Sequence, residues 1–394
     1  MSSPLQIPVC IDGRMLKSGG TGVSTYSRVL LHAQVLIADR PNILRAPPSR
    51  LPPAIGSLCS RARKARLIER SGQDIDEFVV TDVFRRAHVH FGLYGALTPV
   101  VPPLPFGIMH WTYPVPLFFK GWINIYSVHD IIPIAKPQLS SVAGERLART
   151  LEAIAEVADS ITTISDISRE DINGLGLFSP DIVVNTSLTI DLPAEQAIAP
   201  SREAILTQAG LKFKGYLLFS GSIEARKNIQ MLLSAYRTAG VDMPLVIAGP
   251  ETRDGQFIEL DIRATPGVIR LPYQSTKALD ALIWGARGLL FPSLAEGFGL
   301  PVLEAMARRT AVMASRIPAI SEVAGDAALL IDPQDTGKMA EAIKKLAGDP
   351  NFALTLAHSG VTRARLFSMK RFSANILAVY QMALAGRSNS QGSF

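Results

Sequence analysis

The amino-acid sequence predicts an α/β protein with two domains, each built around a doubly wound parallel sheet. The 394 residues exceed the size at which a single hydrophobic core stops growing, which favours two domains. Short apolar runs alternate with amphipathic helical patterns, as expected where helices connect parallel strands. A stretch with little pattern at 188–201, which contains Pro193 and Pro200, predicts the domain boundary near residue 190.

The first series of elements begins with an apolar run that ends at Asp12-Gly13, which predicts a buried strand at 7–11. A glycine loop follows at 19–22, and apolar residues at helical spacing predict a helix at 23–38. The predicted N-terminal domain, 1–190, continues with strands at 77–81, 89–91, 123–128 and 160–164 and a helix at 141–158.

The second series has the same alternation and forms the predicted C-terminal domain, 191–370. Its strands are predicted at 216–220, 244–248, 268–271, 288–291, 311–314 and 328–331, and its helices at 228–239, 275–286, 301–308 and 336–347. The last segment, 371–394, is predicted as a helix at 371–385 that could pack back on the N-terminal domain, followed by a polar tail.

Composition excludes several classes of protein. The 47% hydrophobic content is too high for a mostly disordered chain, and the net charge of 40 − 34 = +6 is too small to indicate nucleic-acid binding. Two cysteines, Cys10 and Cys59, exclude a disulfide scaffold and a cysteine-rich metal site. Residues 1–8 lack the features of a signal peptide, so a cytoplasmic location is expected. The uncharged stretch 91–119 contains six prolines and is therefore predicted as strand ends and loops rather than a membrane span.

The sharpest motif follows the predicted strand at 288–291 and reads PSLAEGFGLPVLEAMA. A strand end followed by a helix start is where open α/β sheets bind ligands, and the free N–H groups there favour phosphate. Glu296 lies in the turn and Glu304 about one turn into the helix, so the two carboxylates could flank one molecule and accept hydrogen bonds from sugar hydroxyls. The alternative is an ordinary strand–helix corner with surface glutamates.

The second motif, FSGSIEARKN at 219–228, places Arg226 and Lys227 where a helix begins. Cations at a helix N-terminus oppose the helix dipole, which favours a functional role over a merely solvated surface. An arginine fork and a lysine charge at this place can neutralise a diphosphate.

Together the two motifs resemble the retaining glycosyltransferases of family GT4, which have the GT-B fold of two Rossmann-like domains facing a central cleft. Residues 296–304 resemble the E-x7-E signature of that family, and 221–228 resemble its phosphate-binding segment. Further similarities cover most of the chain, at 12–14 with 19–23, 128–130, 158–168 and 321–328. Bacterial mannosyltransferases that build O-antigen or exopolysaccharide have the most similar motifs.

The resemblance implies roles for the residues of both motifs. Glu304 would bind the ribose hydroxyls of a nucleotide, and Glu296 would contact the hydroxyls of the donor sugar. Arg226 and Lys227 would stabilise the departing diphosphate, an electrostatic role. Four residues would place their backbone close to the sugar and the phosphate: Gly297, Phe298, Gly299 and Leu300.

The resemblance also implies donor-binding residues elsewhere. Gly20 and Gly22 would approach the diphosphate closely, where only a residue without a Cβ fits. Gly221 would bind the donor as the first residue of the phosphate-binding segment. His129 would lie beside the donor sugar, the alternative being a histidine buried in the core. The nucleotide base would lie near Pro272 and Tyr273.

Two other patterns are interpreted as non-functional. The sequence Asp74-Ile75-Asp76 has the form of a metal-binding D-x-D motif, but it lies apart from every matched motif and is predicted to be a polar turn. No metal and no cofactor are expected, because Arg226 and Lys227 would balance the phosphate charge. The glycine loop does not complete a dinucleotide-binding G-x-G-x-x-G, since Thr25 stands where the third glycine belongs.

Positive charge is concentrated near the N-terminus, where residues 1–70 contain eleven Lys or Arg and three Asp or Glu. The segment 60–70 is predicted as a basic, partly amphipathic helix that either rests on an anionic membrane surface or forms a solvated face. Its basic residues are Arg61, Arg63, Lys64 and Arg66.

The predicted function is transfer of a hexose, mannose from GDP-mannose, to a saccharide acceptor with retention of configuration. The acceptor would be lipid-linked, and the enzyme cytoplasmic, with peripheral attachment to the inner face of the membrane left open. A UDP-sugar-dependent hexosyltransferase is the alternative within the class, and an inactive nucleotide-sugar-binding scaffold is the alternative outside it.

Overall fold

The computed structural model describes residues 5–16, 22–38, 41–48, 63–68, 75–190, 199–252 and 255–391. The chain divides into two compact units. Unit 1 comprises Met1–Ala135, Val142–Thr189 and Met369–Phe394, and unit 2 comprises Lys136–Ser141 and Ile190–Ser368. The chain therefore leaves unit 1 near residue 190 and returns to it for the C-terminal helix.

The elements of unit 1 alternate between strands and helices for much of its length. Its strands are β1 (Val9–Asp12), β2 (Pro41–Arg45), β3 (Arg63–Lys64), β4 (Arg66–Ile68), β5 (Asp76–Val79), β6 (Thr98–Val101), β7 (Ile108–Trp111), β8 (Leu117–Phe119), β9 (Ile123–Ser127), β10 (Ser160–Thr163) and β11 (Val183–Asn185). The helices before residue 190 are α1 (Gly22–Ile37), α2 (Val83–Tyr94), α3 (Ile132–Ala135), α4 (Gly144–Ala155) and α5 (Asp166–Gly174).

An eight-stranded sheet with the order β11-β10-β9-β7-β1-β2-β5-β4 organises unit 1. Its neighbours are parallel except β4, which runs antiparallel to β5. Strands β1, β7 and β9 are buried along their whole length, which explains why these runs are apolar rather than alternating. The strand order changes direction between β1 and β7, so the residues that follow these two strands occupy the place where open parallel sheets bind ligands.

Unit 2 contains a six-stranded parallel sheet covered by helices. Its strands are β12 (Leu217–Ser220), β13 (Leu245–Ala248), β14 (Val268–Leu271), β15 (Gly288–Phe291), β16 (Ala311–Ser315) and β17 (Leu329–Ile331). Its helices are α6 (Ala199–Gln208), α7 (Ile229–Ala239), α8 (Gln256–Ala264), α9 (Thr276–Gly285), α10 (Leu300–Ala307), α11 (Pro318–Ala324), α12 (Thr336–Gly348) and α13 (Pro350–Ala364). The strand order is β14-β13-β12-β15-β16-β17, a doubly wound arrangement that reverses direction between β12 and β15.

The C-terminal helix α14 (Met369–Gln391) packs against α1 of unit 1. Its Tyr380 is fully buried, and the Tyr380 hydroxyl accepts a hydrogen bond of 2.7 Å from the Gln34 amide. The same hydroxyl lies 2.9 Å from Nδ1 of His110, a buried histidine on β7. Nε2 of His110 lies 2.9 Å from the Ser127 hydroxyl, so this polar network ties the last helix to the centre of the sheet.

Three local predictions are wrong. The residues predicted as a strand at 89–91 belong to α2, because Val83, Phe84, Ala87 and Phe91 recur at helical spacing and are all buried. The predicted basic helix at 60–70 contains the short strands β3 and β4, where pairing with β6 and β5 overrides the helical pattern. The side chains of its four basic residues lie outside the described part of the structure.

The third wrong prediction is the polar turn at 74–76, because Asp76 does not lie in a turn. Asp76 is the first residue of β5 and is buried, while Asp74 lies outside the described residues. The uncharged stretch 91–119 holds the end of α2 and the strands β6, β7 and β8. In the described part of the chain, no helix has the length and apolar character needed to cross a membrane.

Candidate active site

The cation motif of unit 2 lies directly after β12. The chain passes through Gly221, and a short 3-10 turn at Ala225–Lys227 then leads into α7 through Asn228, whose φ of 58° is left-handed. The backbone of the β12 loop also approaches the end of β13 closely. Gly249 has a φ of 148°, and a Cβ at that position would collide with the carbonyl oxygen of Gly221. The close approach requires glycine at residue 249.

Arg226, Lys227 and Glu296 form one compact cluster of charges. Glu296 Oε2 accepts a hydrogen bond of 2.9 Å from Arg226 Nη1, and Glu296 Oε1 accepts one of 2.6 Å from Lys227 Nζ. Only about a tenth of the Lys227 and Glu296 side chains is exposed, at 9% and 10%. The two motifs, which the sequence separates by about seventy residues, therefore meet through one carboxylate.

The glycine-rich loop is attached to the cation motif by backbone bonds as well. Leu294 N donates to Arg226 O at 2.8 Å, and Arg226 Nη1 donates to the Ala295 carbonyl at 2.9 Å. One loop follows β12 and the other follows β15, the two neighbouring strands between which the strand order of unit 2 reverses. The contacts between the loops therefore lie at this reversal point. This is the position at which a doubly wound sheet binds a nucleotide.

The charges of the cluster are balanced within the protein. Arg226 Nη2 also donates to Glu224 Oε1 at 2.8 Å, so two carboxylates face the two cations. Burial alone would raise the pKa of Glu296, but the charges of Lys227 and Arg226 outweigh burial and leave that pKa below its ordinary value. Glu296 is therefore ionised at neutral pH and holds both cations in place.

The loop that carries Glu296 ends in a helix start. Gly299 has a φ of 103°, which favours glycine, and α10 begins at Leu300 with Pro301 in its first turn. Phe298 is 3% exposed and makes an edge contact with Phe367, at 5.7 Å between ring centroids. The buried aromatic ring fixes the loop while the backbone of Gly297 and Leu300 remains next to the helix N-terminus.

The remaining donor-site candidates of unit 2 lie at the same edge of its sheet. Glu304 is half-buried in the second turn of α10, and its carbonyl accepts a hydrogen bond of 2.9 Å from Arg308 Nη1. Pro272 and Tyr273 directly follow β14 and are exposed. One strand separates β14 from β12, so the two residues lie at the same edge of the sheet as the cluster.

Unit 1 brings His129 together with residues at the carboxyl ends of β1 and β7. Nε2 of His129 donates to the Thr112 carbonyl at 2.8 Å, and the Thr112 hydroxyl donates to Asp12 Oδ2, also at 2.8 Å. The ring of His129 makes an edge contact with Tyr26, at 4.6 Å between centroids. His129 is half-buried: its ring packs against Tyr26, and part of the residue remains accessible to solvent.

Two protonation states follow from this arrangement. Burial lowers the pKa of His129 to about 4, so the ring is neutral at pH 7 with its proton on Nε2. Burial raises the pKa of Asp12 to about 6, although the hydrogen bonds from Thr112 oppose that rise. Asp12 and Thr112 were not among the predicted site residues, because the strand β7 that positions Thr112 was not recognised between its prolines.

The glycine candidates differ in what the structure says of them. Gly22 is the first residue of α1 and is exposed, whereas Gly20 lies outside the described residues. Gly221 directly follows β12, in the loop that leads to the cation cluster. The roles assigned to these glycines remain predictions.

The two doubly wound units, with cations and a glycine-rich loop at the reversal point of the second sheet, define a glycosyltransferase of the GT-B class. Residues 202–361 match the family described as "Glycosyl transferases group 1". O-antigen chain mannosyltransferase B of Escherichia coli is 30% identical over 266 residues, which are 66% of this chain and 70% of that protein. This chain belongs to the glycosyl transferases of group 1, as its resemblance to family GT4 predicted.

Further similarities agree with this membership. O-antigen chain mannosyltransferase RfbU of Salmonella typhimurium is 30% identical over 168 residues, 42% of this chain and 47% of that protein. Sucrose-phosphate synthase of Thermosynechococcus elongatus superimposes with a TM-score of 0.70 at 20% identity, covering 97% of this chain and all of that chain. At this identity the superposition supports the fold alone, and it confirms the predicted GT-B fold.

Proposed function

We propose that this glycosyltransferase transfers mannose from GDP-mannose to a lipid-linked saccharide, with retention of the anomeric configuration. The cluster of Arg226, Lys227 and Glu296 at the reversal point of unit 2 carries the proposal, because it offers two cations to a diphosphate and a carboxylate to a sugar. The choice of mannose is supported by the relatives that are named O-antigen mannosyltransferases.

The cluster would act when the bond between the sugar C1 and the phosphate oxygen breaks. Negative charge then accumulates on the departing diphosphate, and Arg226 and Lys227 would stabilise it. Lys227 would have to turn its ammonium group from Glu296 towards the phosphate, which frees Glu296 Oε1 to accept a hydrogen bond from a sugar hydroxyl. Glu304 would bind the ribose.

Retention would follow from attack on the same face from which the diphosphate leaves. The acceptor oxygen forms the new bond to C1, and the leaving phosphate oxygen takes the acceptor proton, so no covalent sugar–enzyme intermediate is needed. His129 would contribute its unprotonated Nδ1 as an acceptor for a sugar hydroxyl. The product should retain the α configuration, which NMR of its anomeric proton measures directly.

The donor is tested by thermal denaturation with a panel of GDP-, UDP- and ADP-sugars. A ligand present at 100 times its Kd stabilises the folded protein by about 2.7 kcal/mol, so the preferred donor should raise Tm clearly above the others. Stabilisation by UDP-glucose without stabilisation by GDP-mannose would overturn the donor assignment and favour the UDP-sugar alternative. Hydrolysis of the stabilising donor distinguishes an enzyme from an inactive nucleotide-sugar-binding scaffold.

The proposed location is cytoplasmic, where nucleotide sugars are made, with peripheral attachment at the inner face of the membrane. A lipid-linked acceptor would be presented at that surface. The basic residues of segment 60–70 are the proposed contact with anionic head groups.

A further inference from the structure

Unit 1 contains a cluster of two arginines around one histidine, which the proposed roles of the donor site leave unused. Arg14 follows β1, His88 lies in the middle of α2, and Arg146 lies in the first turn of α4. Arg14 Nη1 lies 3.3 Å from His88 Nε2, and Arg146 Nη2 lies 3.2 Å from His88 Nδ1. The imidazole is therefore held between two guanidinium groups.

The hydrogen bonding of this cluster is unbalanced. A guanidinium group only donates hydrogen bonds, and a neutral imidazole accepts at only one of its two nitrogens. Whichever tautomer His88 adopts, one of its nitrogens presents an N–H group to an arginine N–H group. The cluster thus has more donors than acceptors, and an additional acceptor would resolve the mismatch.

The charge of the cluster is unbalanced in the same direction. Within the described residues, neither Arg14 nor Arg146 makes an ion pair with a carboxylate. Asp12, the acidic neighbour of Arg14 at the end of β1, is buried and accepts hydrogen bonds from Thr112; its charge interacts with that of Arg14, but these two described side chains form no ion pair. Arg146 lies in the first turn of α4, where the helix dipole opposes a cation; the same turn contains Glu145, which forms no ion pair with Arg146 in the described structure.

The position of Arg14 is fixed without an anion. Its Nη1 donates a 2.5 Å hydrogen bond to the Tyr113 hydroxyl, and its guanidinium lies over the rings of Phe84 and Tyr113, at 5.8 and 5.5 Å from their centroids. Two aromatic rings therefore orient the guanidinium group, while Arg14 itself is exposed and can be reached by an anion from solvent.

Histidine protonation does not supply the missing acceptor. Burial, followed by the charges of Arg14 and Arg146, lowers the pKa of His88 to about 4, so the ring is neutral at pH 7. Protonation at lower pH would add a donor rather than an acceptor.

We propose that Arg14, His88 and Arg146 form a binding site for a phosphate group and that this phosphate belongs to the acceptor, a statement that rests on the proposed function. Guanidinium groups on both sides of an imidazole present donors from several directions, which suits the three terminal oxygens of a phosphate better than the two of a carboxylate. The site belongs to the acceptor because the donor diphosphate is assigned to Arg226 and Lys227 in unit 2. Tyr113 also directly follows Thr112, the residue that binds His129.

The anion site is tested with methyl phosphate, whose binding broadens its ³¹P NMR signal. The titration is made in the R226Q/K227Q variant, so that the donor site does not contribute. We expect R14Q and R146Q, each added to that variant, to weaken binding by about 10-fold to 100-fold, the range for one lost hydrogen bond to a charged group. R149Q is the matched control, because Arg149 lies on α4 and contacts the ring of Phe91 instead of His88. If R14Q, R146Q and R149Q, each in the R226Q/K227Q background, bind methyl phosphate equally well, the proposed anion site is wrong.

The source of the phosphate is tested by competition in the same titration. A soluble hexose 6-phosphate and a polyprenyl diphosphate-linked sugar in micelles are each added against methyl phosphate. Stronger competition by the micellar compound identifies a lipid-linked acceptor, and stronger competition by the soluble one identifies a sugar phosphate. Competition by neither overturns the assignment to the acceptor.

A kinetic measurement separates this inference from the proposed function. This measurement uses R14Q and R146Q as single variants, in which Arg226 and Lys227 are retained. Each should raise the KM for the acceptor that competed with methyl phosphate by about 10-fold or more, while hydrolysis of the donor stays as in wild type. Loss of donor hydrolysis in R14Q would show a general defect and overturn the acceptor role. If no nucleotide sugar stabilises the wild-type protein, the proposed function fails while the methyl phosphate result still decides the anion site.

Discussion

Replacing Lys227 by methionine removes the ammonium group and keeps most of the side-chain volume. Glu296 then keeps Arg226 but loses its 2.6 Å partner on Oε1. A hydrogen bond between charged groups contributes about 1.5–3 kcal/mol, and with both side chains about nine-tenths buried this value needs little reduction for solvent screening. For a unit of this size each kcal/mol corresponds to about 2–4 °C, so K227M should lower Tm by about 3–12 °C.

The same variant should lose activity for a different reason. The departing diphosphate loses one of its two cations, and removal of one such electrostatic contact lowers the rate by about 10² to 10³. We therefore expect kcat/KM to fall at least about 10²-fold, measured by release of the nucleotide diphosphate, and the same for R226A. K338M is the matched control, because Lys338 pairs with Glu341 at 3.0 Å on the surface of the same unit, with exposures of 64% and 69%.

The double variant K227M/E296Q distinguishes the two effects. It removes both charges of the buried pair and leaves Arg226 balanced by Glu224, so Tm should return to within about 3 °C of wild type. Activity should remain as low as in K227M or lower. Wild-type kcat/KM in K227M, at whatever stability, would refute the assignment of Lys227 to the diphosphate.

Three further predictions concern pH, metals and the membrane. Burial lowers the pKa of His110 to about 3, so the ring stays neutral in the folded protein. In the unfolded chain the ring takes up a proton below about pH 6.5, so the free energy of unfolding falls as the pH falls below that value. At pH 5 the loss should be about 2 kcal/mol. Between pH 7.5 and pH 5, the free energy of unfolding measured with urea should therefore fall by about 2 kcal/mol less in H110Q than in wild type. An equal fall in both proteins would contradict the lowered pKa. EDTA should leave the transferase activity unchanged. If EDTA abolishes the activity and Mn²⁺ restores it, the enzyme must contain a metal site. Changing all four basic residues of segment 60–70 to glutamine should weaken sedimentation with anionic liposomes, as should added salt, without affecting donor affinity; unchanged sedimentation would leave the segment a solvated face.

The sequence predicted unit 2 more completely than unit 1. Each of the six strands of its sheet was predicted to within a residue at either end, because each is a short apolar run with more polar residues or glycine around it. The helices Gln256–Ala264 and Pro318–Ala324 between these strands were not predicted. In unit 1, the central strand β7 lies among prolines and β2 follows α1 closely, so neither has a pattern that distinguishes it from a loop. Pairing with distant strands, rather than local propensity, creates them.

The candidate site shows the same limit of sequence reasoning. The motif that contains Glu296 and the motif that contains Arg226 and Lys227 were each recognised from the residue types that follow a strand. Their direct contact through Glu296, and the second carboxylate at Glu224, depend on side-chain directions that spacing does not encode. The donor excess around His88 could not be predicted for the same reason, since Arg14, His88 and Arg146 come from three distant parts of the chain.

The return of the chain to unit 1 has a consequence for biosynthesis. A ribosome produces the chain at about 5–20 residues per second, and the whole of unit 2 is made before α14. Until then His110 and Gln34 lack Tyr380, the partner that joins them in the centre of unit 1. The unit that begins first is therefore completed last, and the nascent chain carries unit 1 without its last helix for the time needed to translate unit 2.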